Sequence, residues 1–349
     1  MKRLVTIILI ATALVGCTNN QSLEQRLSKH INVVVSKDGK GTVAKVQEAI
    51  DMVPENNTER FVIFIRNGEY KEKIVLPSSK PNVTMVGESA EGVILTYDDF
   101  SGKVVDEDTI TTYTSHSFAA DADGFVAMNI TFANSAGSVG QAVAIRTTGD
   151  RQIFYNCRLI GHQDTYYTQG HYRNYLKDCF IEGTTDYIFG RSTVVFDSCH
   201  INSLKTGSFI TAASTEQDVK FGYVFFNCRF TAAPEIERVF LGRPWRPFAR
   251  TVIINSFIDE FVNPQGWSIW RGRENHHKCY YAEYQNYGPG ADISNRIDWS
   301  HQLTKAEREE YTIQNIFAKS TSPEYFENDW LPNLEADPIF RLVKTHWFK

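Results

Sequence analysis

Phe154–Gly161 reads FYNCRLIG, and three later stretches repeat its plan: LKDCFIEG (Leu176–Gly183), VFDSCHINS (Val195–Ser203) and FFNCRFTA (Phe225–Ala232). Each carries a cysteine followed by a strand-like run. Cys157, Cys179, Cys199 and Cys228 stand 22, 20 and 29 residues apart in turn. A period of twenty-odd residues with several short strands and no helix fits one coil of a parallel β-helix. An antiparallel sandwich has no reason to keep such a period. Equivalent residues on neighbouring coils would then lie about 4.8 Å apart, the spacing of paired strands. The cysteines stack as an internal ladder of small buried side chains. That spacing also puts Cys179 and Cys199 within bridging range, in a compartment that permits disulfides.

Working outward, short runs of alternating apolar residues separated by Gly, Asn and Asp extend on both sides, from RFVIFIRNGEY (Arg60–Tyr70) to TVIINSFIDEF (Thr251–Phe261). The chain is rich in Phe (23) and Tyr (16), a composition that favours strands. Two helical segments interrupt the pattern. One is predicted over Val43–Val53 with Thr42 as N-cap, the other within Leu303–Ser320 with Thr304 and Glu307 as a capping box. Gly39 and Gly41 lack the third glycine of a dinucleotide fingerprint and the Lys and hydroxyl residue of a P-loop. The predicted class is therefore all-β: a parallel β-helix with a short N-terminal helix and a C-terminal helical segment.

The net charge is −5 and no basic block points to nucleic acid. No CxxC pair, Cys/His zinc spacing or acidic calcium cluster is evident, so neither metal nor cofactor is expected. Lys2 and Arg3 precede a short apolar stretch, Leu4–Val15, and then LVGC (Leu14–Cys17). This resembles the signal peptide and lipobox of bacterial lipoproteins. The resemblance implies a leader over 1–16, lipid attachment at Cys17 and a place in the cell envelope, on the outer membrane or the periplasmic face. Residues 17–30 read as a polar tether, and 31–349 as the β-helix domain with its C-terminal tail. A monomer is expected.

The same period aligns the reactive side chains. In GHQDTYYTQG (Gly161–Gly170), Gln163 stands 22 residues after Gln141, and Asp164 stands 22 residues before Asp186. Two amides and two carboxylates should meet on adjacent coils. Carboxylates that close cannot ionise independently, and they divide into an ionised nucleophile and a protonated acid. Amide N–H groups suit an oxyanion. Spacing alone equally allows a polar ladder without chemistry. Because Gln163 and Asp164 are neighbours, both can face one site only if the strand is broken there.

These segments carry a strong resemblance. GHQDTYY, DYIFGRSTVVF (Asp186–Phe196) and LGRPW (Leu241–Trp245) look like the signature segments of the pectin methylesterase, or pectinesterase, family. QAVA (Gln141–Ala144), DGFVAMNITFANSAG, GWSIW (Gly266–Trp270) and YYAEYQNYGPGA (Tyr280–Ala291) match it in the same order. The resemblance implies a right-handed parallel β-helix that hydrolyses methyl esters of homogalacturonan through an aspartyl acyl-enzyme, without a cofactor. It implies Asp186 as nucleophile and Asp164 as acid and then base. Gln141 and Gln163 would bind substrate and the oxyanion, and Arg243 would hold and ionise Asp186. Trp245 corresponds to a sugar-stacking position. Thr112 and Phe189 align more loosely with substrate contacts. His162, Tyr187 and Arg191 depart from the family pattern beside these positions, and His162 is read as an edge residue without a catalytic role. The alternatives are an envelope β-helix acting on a different ester or thioester, a binding protein of this fold, and a lyase.

Overall fold

The computed structural model describes residues 21–347; the leader over 1–16 and Cys17 lie outside the described residues. The chain winds through three long sheets of eleven, eight and seven strands. Every pairing within them is parallel. A small antiparallel hairpin, Val104–Val105 with Asp108–Thr109, stands apart. One coil shows the plan. Gln152–Tyr155 lies in the eleven-stranded sheet, Arg158–Ile160 in the eight-stranded sheet and Tyr166–Thr168 in the seven-stranded sheet. The chain then returns at Arg173–Lys177, pairing Phe154 with Leu176. Such parallel crossovers are right-handed almost without exception.

The repeat that predicts the fold marks a corner. Asn129, Asn156, Asp178, Ser198, Asn227 and Asn255 all adopt left-handed backbone, with φ of 49–57°. Asn and Asp tolerate this region better than other side chains that carry a Cβ. Each turns the chain from the first sheet into the second, and the next residue (Ile130, Cys157, Cys179, Cys199, Cys228, Ser256) points inward and is buried. Asn156 Nδ2 donates to Asn129 Oδ1 at 2.8 Å, which ties successive corners.

The cysteines form the expected ladder, but Cys179 and Cys199 are not bridged: both are free. Parallel register points every thiol the same way, and each is satisfied by backbone. Cys157, Cys179, Cys199 and Cys228 approach the carbonyls of Ala127, Phe154, Leu176 and Phe196 on the preceding coil at 3.4–3.5 Å. Burial holds the thiols of Cys179, Cys199 and Cys228 well above the usual range.

Two apolar layers result. One fills the coil, with rings stacked between rungs, such as Phe196 on Phe225 at 4.3 Å. The other lies outside the eleven-stranded sheet. That sheet is covered on both faces, which explains its unbroken apolar runs FVIFI (Phe61–Ile65) and VTMVG (Val83–Gly87). The cover is built from the chain ends. Residues Leu23–Leu27 are a helix with a Ser22–Gln25 capping box, and Leu23 and Leu27 are buried against the C-terminal helix Pro338–Trp347. The segment expected as a polar tether thus includes a packed helix over Leu23–Leu27. Its two leucines, four residues apart, form one apolar helix face. Arg173, wholly buried, clamps the cover. Its guanidinium forks onto Asp150 at 3.0 and 2.6 Å and donates to the carbonyls of Phe317 and Asn328.

Two local expectations need correction. The helix expected over Val43–Val53 is only Val46–Asp51, with Lys45 at its N-cap; the Thr42 hydroxyl instead accepts from the Val34 N–H. The segment Leu303–Ser320 forms two short helices, Lys305–Glu309 and Ile313–Ile316. The Thr304–Glu307 capping box is present, but extended Thr312 stops the first helix and caps the second.

Candidate active site

The outward face of the seven-stranded sheet carries a column in register: Arg146, Tyr167, Phe189 and Ala212. The pairing of Thr211 with Gly242 brings Arg243 onto the next rung. Tyr167 and Phe189 stack with ring centroids 4.3 Å apart. Two glycines make the rungs close enough. A Cβ on Gly190 would meet the Thr168 carbonyl oxygen at 1.8 Å, and one on Gly242 would meet Thr211 Oγ1 at 1.9 Å. From Tyr167 to Arg243 this column floors a cleft of about 400 Å³.

At the edge of the column, where the chain enters the seven-stranded sheet, Gln141 pairs with Gln163 as an isolated parallel bridge, as the 22-residue step requires. The strand breaks immediately afterwards. Asp164 has φ of 69° and Asp186, on the next coil, has φ of 48°. The left-handed residue ends the alternation that would send neighbours to opposite faces, so Gln163 and Asp164 line the same cleft. The following residues, Thr165 and Tyr187, turn inward and are buried. Thr165 Oγ1 donates to the Glu182 carbonyl at 2.9 Å, and the Tyr187 hydroxyl lies 2.8 Å from Ser203 Oγ. Buried anchors on the C-terminal side therefore fix both carboxylates.

Arg243 holds Asp186 in a two-pronged contact, Nε to Oδ1 at 3.0 Å and Nη2 to Oδ2 at 2.6 Å. The guanidinium is itself sandwiched, 3.9 Å from the Phe209 ring centroid and 4.2 Å from that of Trp270. The two aspartates are both buried yet differ in charge environment. Burial pushes Asp164 well above the usual carboxylate range, and the charge of Asp186 pushes it further. Burial also raises Asp186, but its hydrogen bonds to Arg243 oppose that rise. The cation does not win outright, contrary to the sequence-based expectation of a lowered value, because it must offset nearly complete desolvation. The order is clear: Asp186 ionises first and Asp164 keeps its proton longer.

Thr112, Phe189 and Trp245 line the same cleft, as do Tyr167, Ala212 and Trp270, which the sequence reading did not single out. Tyr167 lies in the quoted GHQDTYY segment and Trp270 ends GWSIW, but strand period alone does not say which aromatics face outward. His162 turns away to Ser138, with Nδ1 3.0 Å from its hydroxyl, and Arg191 pairs with Glu216 at 3.2 Å. Neither lines the cleft. Among the described residues, no group of three or more His, Cys, Asp or Glu is arranged to hold a metal ion.

Comparison with known proteins places this geometry. A family model described as Pectinesterase matches residues 32–320. Pectinesterase 31 of Arabidopsis thaliana is 42% identical over 279 residues, covering 78% of this chain and 87% of its own length. Pectinesterase/pectinesterase inhibitor 18 of the same plant is 38% identical, covering 85% of this chain but 55% of its own; the chain spans about half the length of several such relatives. Among solved structures, a pectin methylesterase from carrot matches with a TM-score of 0.75 and 33% identity, over 86% of this chain and 98% of that one. A pectin methylesterase in complex with a hexasaccharide matches with a TM-score of 0.71 and 28% identity, over 86% and 99% of the two chains.

Proposed function

The chain belongs to the pectinesterase family, and we propose that its cleft hydrolyses methyl esters of homogalacturonan or its oligomers, leaving free carboxylates and releasing methanol. One observation carries the assignment of roles: of two buried carboxylates on adjacent coils, only Asp186 is gripped by a cation. Ionised Asp186 attacks the ester carbonyl carbon. The N–H groups of Gln141 and Gln163 donate to the developing oxyanion. As the C–O bond breaks, Asp164 gives its proton to the departing methoxide, forming methanol. The product is an anhydride between Asp186 and the galacturonate carboxyl. Asp164, now ionised, takes a proton from water, and the resulting hydroxide opens the anhydride. This frees the galacturonate and restores both aspartates. Trp245 offers a flat ring to the apolar face of a sugar, and the Tyr167–Phe189 stack gives the cleft an apolar floor.

The leader is proposed to direct lipid attachment at Cys17, holding the enzyme in the cell envelope. Its support is the order of Lys2, Arg3, the apolar run Leu4–Val15 and the small residues before Cys17. Replacement of Cys17 by Ser should release the protein from membrane fractions; persistent membrane retention would count against the anchor.

The direct test is an assay of the chain from Ser22 onward on methyl-esterified oligogalacturonides. Methanol and new carboxylate should appear in equal amounts without added metal, and absence of methanol would refute the assignment.

A further inference from the structure

Phe209 meets both partners of the Asp186–Arg243 pair. Its carbonyl oxygen accepts from the Asp186 N–H at 2.7 Å, so the following coil pins the left-handed residue that carries the carboxylate. Its ring lies against the Arg243 guanidinium, with Cζ 3.9 Å from the ring centroid. Strand register explains the coincidence. Phe209 pairs with Phe240, and the next residue on each strand, Ile210 and Leu241, fills the coil interior. Phe209 and Phe240 therefore stand outside, stacked with centroids 5.6 Å apart and planes 18° from parallel. Arg243, three residues beyond Phe240, lays its guanidinium on Phe209 and forks onto Asp186 from there. Trp270 covers the guanidinium as well, at 4.2 Å, but the two rings differ in place: Trp270 lines the cleft and Phe209 does not. Arginine has much rotamer freedom to lose, and a guanidinium held against an aromatic face has lost it before a substrate arrives.

We propose that Phe209 is a positioning residue for the nucleophile: its carbonyl fixes the backbone of Asp186, and its ring holds Arg243 where both guanidinium nitrogens reach the carboxylate. This rests on the esterase reading above. The charged groups that face Asp186 are Arg243 and, from the preceding coil, Asp164. An arginine released from its ring spends less time on Asp186, and the carboxylate then takes up a proton at higher pH. Leucine at 209 keeps an apolar cover over the pair but has no π face, and the backbone carbonyl stays. Phe209→Leu should lower kcat for methanol release about five- to tenfold. KM should change little, because residue 209 lies outside the cleft, and the acid limb of the pH profile should move to higher pH. Phe209→Met, with an unbranched side chain, should behave like Phe209→Leu, whereas Phe209→Tyr, which keeps the ring, should stay near native values. Carboxyl carbon NMR of the Asp186 titration gives a readout independent of turnover, assigned with Asp186→Asn. Its midpoint should rise in the Leu and Met variants and not in the Tyr variant. An unmoved midpoint in both, or a Tyr variant as impaired as the Leu variant, would overturn the proposal. A native chain that releases no methanol would instead refute the esterase reading, while the NMR titration still decides what holds the pair.

Discussion

The outward faces of the eleven-stranded and seven-stranded sheets begin from the same coil geometry and end differently. Outside the first, side chains such as Phe64, Met128 and Val195 are sealed under the terminal helices, and the buried cation there, Arg173, is spent on holding that cover. Outside the second, Tyr167, Phe189 and Ala212 remain at the floor of an open cleft, and its cation, Arg243, is spent on one carboxylate. Each guanidinium is held in two-pronged contact with an aspartate and packed against aromatic rings. What separates structure from chemistry is whether a second carboxylate and open space lie beside the pair.

Substitutions at these two sites should separate cleanly. The largest effect is expected on the open face. Asp186→Ala should lower methanol release by about 10⁴-fold or more while leaving the far-ultraviolet circular dichroism spectrum intact; residual turnover near the native rate would end its role as nucleophile. On the covered face, Arg173→Ala leaves Asp150 partly buried without its partner. It should cost about 3–5 kcal/mol of stability in denaturant unfolding, with kcat per folded molecule little changed. An unaltered midpoint would mean the clamp contributes nothing.

A smaller effect, of opposite sign for stability, is expected at Asp164. Its folded pKa is raised by burial and by Asp186. The neutral form therefore favours folding below the unfolded pKa, and that contribution is lost as pH rises through the folded value. Asp164→Asn should raise Tm at neutral and higher pH, and the gain should shrink as pH falls toward the ordinary aspartate range. It should also impair turnover; a Tm difference that does not vary with pH would contradict the raised value. In the native enzyme, activity should fall on the acid side as Asp186 protonates and on the alkaline side as Asp164 ionises, with both apparent values belonging to the pair. The smallest effect is expected in the interior shared by both faces. Since Cys179 and Cys199 are free, adding a reductant should leave Tm unchanged, whereas a drop would reveal a bridge.

The rungs were legible because side chains that stack on neighbouring coils must recur at the coil length. Gln141 and Gln163 pair as their spacing requires, and the break at Asp164 follows from two adjacent residues lining one cleft. What stayed hidden depends on something other than period. Ile145 pairs with Tyr166, a step of 21 rather than 22, so one residue is absorbed between Gln141 and Ile145. Trp270 reaches the cleft from outside the three long sheets, where no ladder predicts its direction. Leu23 and Leu27 sit in a polar stretch and gain meaning only from the helix they meet. The cysteines recur once per coil, yet that recurrence does not say that their thiols face backbone oxygens of the preceding coil.

The left-handed corners have a consequence for how such a cleft can diversify. From Asn129 to Asn255 each coil closes on its own Asn, Asp or Ser corner, so residues inserted between these corners need not disturb any rung. The coil from Cys199 to Cys228 already holds 29 residues where the one before holds 20. Most of its surplus leaves between Ala213 and Tyr223, while the strands on either side stay paired. Lengthening a loop costs only about 0.6 kcal/mol per doubling. The walls of the cleft are thus exchangeable parts on a fixed chassis, free to be lengthened or traded for a new polymer pattern while the two aspartates keep their places.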